Sequence, residues 1–229
     1  MYDFSELAYE IDLVVESYRN KSISFASSRK NDGSMVTEFD LLLSNTMKAY
    51  FQKHFPLHNF FSEEDHHELT FPAIIVDPLD GTNGFIEKSY ECCVSIAIMN
   101  TPDITDPSNE VFIYDLFQKK PVFPSNAILV SKNEWKKGLH INSSKNLNFF
   151  PFGSIAFKLK LIADNMGEAV ISRQPKAIWD IAAGTILAHR KGIRFTSGNK
   201  EITRLDQVYY EPNLVWARDN FREQNQDIL

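Results

Sequence analysis

One short stretch constrains the fold more than any other. Ile74-Ile75-Val76 is wholly apolar and runs straight into Asp77-Pro78-Leu79-Asp80-Gly81-Thr82. An apolar run that stops at turn residues reads as a buried strand. The run from Phe71 to Val76 therefore predicts a strand that delivers Asp77 to its exposed end. Pro78 stiffens the turn by fixing φ. Asp80 follows three residues after Asp77, so both carboxylates can face one pocket. Gly81 lets the backbone approach a ligand closely. Thr82 adds a hydroxyl, and a helix or turn starting there would present free N–H groups to an anion.

The rest of the chain alternates between the two periodicities. Residues 3–18 predict a helix, with Leu7, Ile11, Val14 and Val15 at helical spacing. Residues 27–36 are polar, contain Gly33 and read as a mobile loop. Thr37 reads as the N-cap of a second helix with Phe39, Leu43, Met47 and Tyr50 on one stripe, ending before Pro56. Strands are predicted over 92–99, 111–117, 148–152, 168–172, 193–196 and 214–217. Helices are predicted over 154–165 and 179–189. The polar stretch 131–147 divides the chain into an N-terminal half, 1–135, and a C-terminal half, 136–229. Helices and strands mixed throughout imply a layered α/β architecture.

Composition narrows the partners. A chain of 229 residues with 43% hydrophobic and 24% charged residues can bury a full core. Its 18 Phe residues read as packing. A net charge of −6 disfavours a nucleic acid polymer held on a diffuse basic surface. No apolar run is long enough to span a membrane, and the N-terminus lacks the pattern of a signal peptide. Cys92 and Cys93 are adjacent, so on a strand they point to opposite faces and do not pair. These features lead to the expectation of a cytoplasmic protein.

The acidic turn carries chemistry when other acids join it. Glu63-Glu64-Asp65 lies just upstream, and Asp180 opens the helix after Trp179. Carboxylates beside free N–H groups are what a metal-phosphate site requires. Hard divalent cations take oxygen ligands, and Mg²⁺ combines one or two carboxylates with waters and substrate phosphate. Two such ions can clamp the attacking and leaving oxygens of a displacement. A zinc site on His66-His67 is the alternative, but adjacent histidines seldom chelate one ion.

Together these pieces resemble the inositol monophosphatase superfamily. Ser62-Glu63-Glu64 looks like its Gly-Glu-Glu, Asp77 to Thr82 matches its Asp-Pro-Ile/Leu-Asp-Gly-Thr, and Trp179-Asp180-Ile181-Ala182-Ala183-Gly184 matches its Trp-Asp-x-Ala-Ala-Gly. Lys30 to Ser34 and Val36 to Asp40 resemble its N-terminal catalytic loop and first metal-facing helix. The resemblance implies an α-β-α-β-α layered sandwich and Mg²⁺-dependent hydrolysis of a small phosphorylated metabolite. Glu63, Asp77 and the Leu79 carbonyl would hold one Mg²⁺. Asp77, Asp80 and Asp180 would hold a second, and Glu63 would help a weaker third. Glu63 and Thr82 would activate the attacking water, with Asp40 supporting Thr82. Gly81, Thr82 and Asn83 would meet the phosphate, with Lys30 on the catalytic loop. Relatives include monomers and homodimers, and lithium inhibition is a family trait.

Four departures fall where a substrate's non-phosphate part would be read. Ser62 stands for Gly, and His189-Arg190-Lys191-Gly192 stands for Glu-Ala-Gly-Gly. The Gly153-Ser154 stretch is one residue longer, and a Gly-rich hairpin is missing after Phe123. Asp80 to Ile86 resembles the 3'(2'),5'-bisphosphate nucleotidase branch in spacing. Lys158 sits at the offset of a phosphate-binding lysine of that branch. Arg173 stands where inositol monophosphatases tend to have a sugar-binding Glu, and a cation suits a second phosphate better. The expected order is bisphosphate nucleotidase first and inositol-1-monophosphatase second. A catalytically silent binding relative is the reading from another class.

Overall fold

The computed structural model describes residues 2–20, 26–29, 35–65, 67–118, 121–138, 147–198 and 200–225. The first part comprises α1 (Ser5–Arg19), β1 (Ser27–Arg29), β2 (Met35–Thr37), α2 (Glu38–His54), β3 (Asn59–Ser62), β4 (Ala73–Asp80), α3 (Thr82–Ile86), β5 (Cys93–Met99) and β6 (Glu110–Tyr114). It continues with β7 (Ile128–Ser131), α4 (Lys132–Lys136), β8 (Phe149–Phe152), α5 (Ile155–Ala163), β9 (Ala169–Ser172), β10 (Lys176–Ala177) and α6 (Ile178–His189). It closes with β11 (Arg194–Ser197), β12 (Lys200–Glu201), β13 (Tyr209–Tyr210), β14 (Leu214–Ala217) and α7 (Asp219–Gln224).

Two sheets organise these elements. Strands β3-β4-β5-β6 form one, and β12-β11-β14-β9-β7-β8 form the other. Alternation along each strand sends successive side chains to opposite faces. Ile74 and Val76 join the core beneath α1 and α2, while Ala73 and Ile75 join the core containing α5 and α6. Leu129, Val170, Phe195 and Trp216 cover α5 and α6 from the second sheet. Ile128, Val130, Ile171 and Val215 face outward, where Phe221 of α7 packs. The order of layers is α-β-α-β-α, as the resemblance implied.

Close packing in the middle layer has a sequence cause. A Cβ on Gly184 would lie 2.6 Å from Leu159 Cβ, so α5 and α6 touch at a glycine. The predicted alternation of the cysteines also holds, with Cys92 in one core and Cys93 in the other. Both are free and buried, and burial pushes both thiols up.

Three local expectations are corrected. Strand β4 does not stop at Asp77 but runs through Pro78 to Asp80. The register slips between Asp77↔Ser95 and Asp80↔Cys93, and this bulge accommodates a proline with no N–H to give. The ends of the predicted loop 27–36 pair as β1 and β2, with Ser27 opposite Thr37; residues 30–34 lie outside the described set. Strands β3 and β7 were not predicted, because Asn59 interrupts one short run and Ser125-Asn126 precedes the other. No helix among the described residues is long and apolar enough to cross a membrane.

Candidate active site

The acids arrive from separate elements. Asp77 and Asp80 come from the end of β4, and Asp180 from the first turn of α6. One carboxylate oxygen from each lies within 4.8 Å of the other two. Glu63 follows β3, and its N–H donates to the Val76 carbonyl at 3.1 Å, which holds it beside the end of β4.

Each carboxylate is aimed by a backbone group. The Leu79 N–H donates to Asp77 Oδ1 at 3.0 Å. Asp80 Oδ2 accepts the Ser154 hydroxyl and the Ala156 N–H, both at 2.5 Å. Asp80 therefore rests on the N-terminal end of α5, where unpaired N–H groups favour an anion. Asp180 Oδ2 accepts the Ala177 N–H at 3.2 Å. Gly81 turns the chain at φ +98°, and a Cβ there would sit 2.5 Å from the Glu91 carbonyl oxygen. Both facts require glycine.

Burial and crowding make these acids reluctant to ionise. Asp77 is 2% exposed, and burial, then Glu63, Asp80 and Asp180, push its carboxyl well up. Burial raises Asp80 too, against the Ser154 and Ala156 hydrogen bonds and the charges of Lys158 and Lys176. Burial lifts Asp180 to about 6, with Lys176 the main opposing influence. Crowded, partly desolvated carboxylates with raised affinity for positive charge are a donor set for a hard divalent cation.

A hydroxyl stands beside the cluster. Thr82 Oγ lies 3.0 Å from Asp40 Oδ1 and 3.1 Å from the Leu79 carbonyl oxygen. The other oxygen of Asp40 accepts from the Thr37 N–H at 2.8 Å and from the Thr37 hydroxyl. Thr37 is the N-cap of α2, as its sequence predicted. Burial raises the Asp40 carboxyl, and the hydrogen bonds from Thr37 and Thr82 oppose that rise.

These groups open on a cavity of about 720 Å³. Glu63, Asp77, Leu79, Asp80, Gly81, Thr82, Asn83, Lys158 and Asp180 all line it. Asp40 stands behind Thr82. Lys158 is 2% exposed, and its ammonium donates to the carbonyls of Gly153 at 2.8 Å and Phe152 at 3.2 Å. Burial lowers it to about 8. Arg173 is not part of the lining; its guanidinium donates to Asn213 Oδ1 at 3.3 Å and its N–H to Glu134 Oε2 at 2.9 Å. Lys30 lies outside the described residues, as does His66. His67 is 83% exposed beside Asp65, away from the cavity, so it gives the zinc alternative no support.

The sequence reading missed several lining residues. Arg29, Lys132, Lys136 and Lys176 also face the cavity. Lys176 precedes Asp180 by four residues, a spacing that carries no signal by itself. Ser154 was read only as the start of a predicted helix; the structure makes it the N-cap of α5, its hydroxyl accepting from the Phe157 N–H at 2.9 Å.

A sandwich of this layering with a crowded acidic centre is also what comparison with known proteins finds. The model of the inositol monophosphatase family matches residues 2–105, a stretch that holds Glu63, Asp77 and Asp80 but ends before Asp180. Inositol monophosphatase 1 of Solanum lycopersicum is 35% identical over 75 residues, 30% of this chain and 28% of that protein. Inositol monophosphatase 2 of Saccharomyces cerevisiae is 22% identical over 233 residues, covering 84% of this chain and 80% of the relative. A staphylococcal IMPase-I complexed with products superposes with a TM-score of 0.74 at 16% identity, covering 97% of this chain and 93% of the other. An IMPase/NADP phosphatase complexed with Mg²⁺ and phosphate gives 0.72 at 15% identity, covering 97% and 93%. The resemblance to the inositol monophosphatase superfamily is thus borne out, in sequence over the first part and in fold over nearly the whole chain.

Proposed function

We propose that this protein is a Mg²⁺-dependent phosphoric monoester hydrolase that acts on a small phosphorylated metabolite, with a 3'(2'),5'-bisphosphorylated nucleotide as its preferred substrate. The observation that carries this reading is the convergence of Asp77, Asp80 and Asp180 within 4.8 Å on one cavity wall. Glu63, Asp77 and the Leu79 carbonyl would hold one Mg²⁺, and Asp77, Asp80 and Asp180 another, with Glu63 helping a weaker third. Held there, the ions would supply Lewis-acid polarisation of the phosphoryl group and a lowered pKa for a bound water.

The chain's own groups do the rest. Asp40 draws the Thr82 hydroxyl proton toward itself, which leaves the Thr82 oxygen as an acceptor for a proton of the attacking water. Glu63 faces the same water from the end of β3 and serves as its base. The first N–H groups of α3, at Gly81 and Thr82, have no helical acceptors and meet the phosphate. Asn83 is exposed at the same rim. Lys158 gives two of its three ammonium protons to carbonyls, which fixes its positive charge beside Asp80, and the third would serve the phosphate from the cavity wall.

Phosphate release with 3'-phosphoadenosine 5'-phosphate, inositol 1-phosphate and fructose 1,6-bisphosphate, with Mg²⁺ and with or without Li⁺, tests the reading. Mg²⁺-dependent release, fastest for the nucleotide, is the expected result. Release fastest for inositol 1-phosphate would replace the nucleotidase reading with the inositol-1-monophosphatase one, which the names of the relatives favour. Mg²⁺ binding without release from any monoester would leave only a silent binding relative.

A further inference from the structure

We infer that Lys132 and Lys136 of α4 form a second anion subsite, which takes the phosphate of the substrate that is not hydrolysed; the location rests on the reading of the acid cluster as the phosphoryl-transfer centre. The two lysines are four residues apart on one helix and therefore share a face, and both line the cavity. Neither was singled out by sequence, and Arg173, which was, lies off the cavity.

The subsite is held close to the acid cluster but apart from it. Lys132 Nζ is 2.6 Å from Glu91 Oε2. The same oxygen accepts the Gly153 N–H at 2.9 Å. The Glu91 carbonyl accepts the Ser154 N–H at 3.1 Å, and Ser154 in turn donates to Asp80. Lys132 is thus separated from Asp80 by one carboxylate and the first residues of α5. Glu91 steers the ammonium, which lowers the entropy lost on binding an anion. Lys136 is exposed one turn further along.

Charge counting gives the ligand class. Among the described residues the cavity wall carries five basic side chains, Arg29, Lys132, Lys136, Lys158 and Lys176. It carries five acidic ones, Glu63, Asp77, Asp80, Asp180 and Glu87. Among the described residues the wall is neutral, in a chain whose net charge is −6. Two divalent cations would raise it to about +4, and Glu91 behind Lys132 brings that to about +3. One phosphate monoester carries about −1.5 to −2 and neutralises roughly half of this. A second phosphate takes up most of the remainder; of the basic side chains not already beside the acid cluster, Arg29, Lys132 and Lys136, the two on α4 share one helix face. The cavity volume of about 720 Å³ falls in the range of sites that hold a nucleotide-sized ligand.

Calorimetry with Mg²⁺ tests this in an Asp80→Asn background, where neither ligand is consumed. Adenosine 3',5'-bisphosphate should bind about ten-fold tighter than adenosine 3'-monophosphate, the scale of one added charge-assisted contact. The Lys132→Gln/Lys136→Gln pair should bring that ratio to near one, and added salt should shrink it in the starting protein. A starting ratio near one, or a ratio unmoved by the double variant, overturns the inference while leaving phosphate release from monoesters untouched. A ratio lost in the variant, beside a wild-type protein that releases no phosphate, keeps the subsite and overturns the hydrolase reading. Lys136 is exposed, so Lys136→Glu alone provides the same comparison if the double variant fails to fold.

Discussion

The Ser154 hydroxyl donates to Asp80 Oδ2 at 2.5 Å across 74 residues of sequence. The same hydroxyl accepts from the Phe157 N–H, so it caps α5 and aims the Asp80 carboxylate at once. Ser154→Ala removes both functions. Loss of an N-cap costs about 1 kcal/mol. Chemical denaturation should show that loss, and Mg²⁺ titration should show affinity weakened by about ten-fold, the lower end for outer-shell partners of a metal. A Mg²⁺ affinity equal to wild type would separate Ser154 from the acid cluster.

The crowded carboxylates make the metal-free protein sensitive to pH. Asp180 has a folded pKa of about 6 against an ordinary value of 3.8, and Asp77 and Asp80 move in the same direction. An acid with a raised folded pKa binds more protons folded than unfolded. Stability therefore falls as pH rises from about 4 through 6, by up to about 3 kcal/mol for Asp180 alone. Urea unfolding in EDTA should show a lower midpoint at pH 7.5 than at pH 5. Mg²⁺ should raise the midpoint more at pH 7.5, because protonation competes with the metal. A flat pH profile in EDTA would contradict the electrostatics of the cluster.

Asp77→Asn sharpens the same point. It removes the most buried of the charges and keeps an oxygen that can accept the Leu79 N–H. The metal-free variant should be more stable than wild type by about 1 kcal/mol, since its neighbours ionise with less repulsion. Mg²⁺-dependent phosphate release should fall by about 10²-fold or more. A variant that is both destabilised and active would reverse the assignment of Asp77.

Legibility in the sequence followed how local each signal was. Thr37 capping α2, the stripe from Phe39 to Tyr50, and the apolar run into Asp77 are local signals, and each element formed, α2 where expected and β4 with its end carried on to Asp80. The bulge that carries β4 on to Asp80 depends on what β5 offers opposite it, which no single strand discloses. Glu63 and Asp180 came from motifs that tie residues far apart in the chain to one family. Lys132, Lys136 and Lys176 had no such tie. They reach the cavity only because the second sheet sets α4 and the start of α6 against the end of β4. Arg173 read as a ligand by its distance from Asp180 along the chain, but the turn after β9 points it toward Asn213 instead.

Gly81 joins these threads, since its position couples the acidic turn to the α4 lysines. Its φ of +98° is costly for any side chain, and the added Cβ would press on the Glu91 carbonyl oxygen. Gly81→Ala should therefore destabilise the fold by about 1–3 kcal/mol. Gly84 meets the same carbonyl oxygen from a Cβ distance of 3.1 Å without a positive φ, so Gly84→Ala should cost less. The pressure falls on Glu91, whose side chain holds Gly153 and Lys132 and whose carbonyl holds Ser154. Gly81→Ala should accordingly weaken binding of a bisphosphorylated nucleotide as well as Mg²⁺, whereas damage confined to the turn would touch Mg²⁺ alone. Denaturation midpoints for the two glycine variants, read beside their ligand titrations, decide between these outcomes.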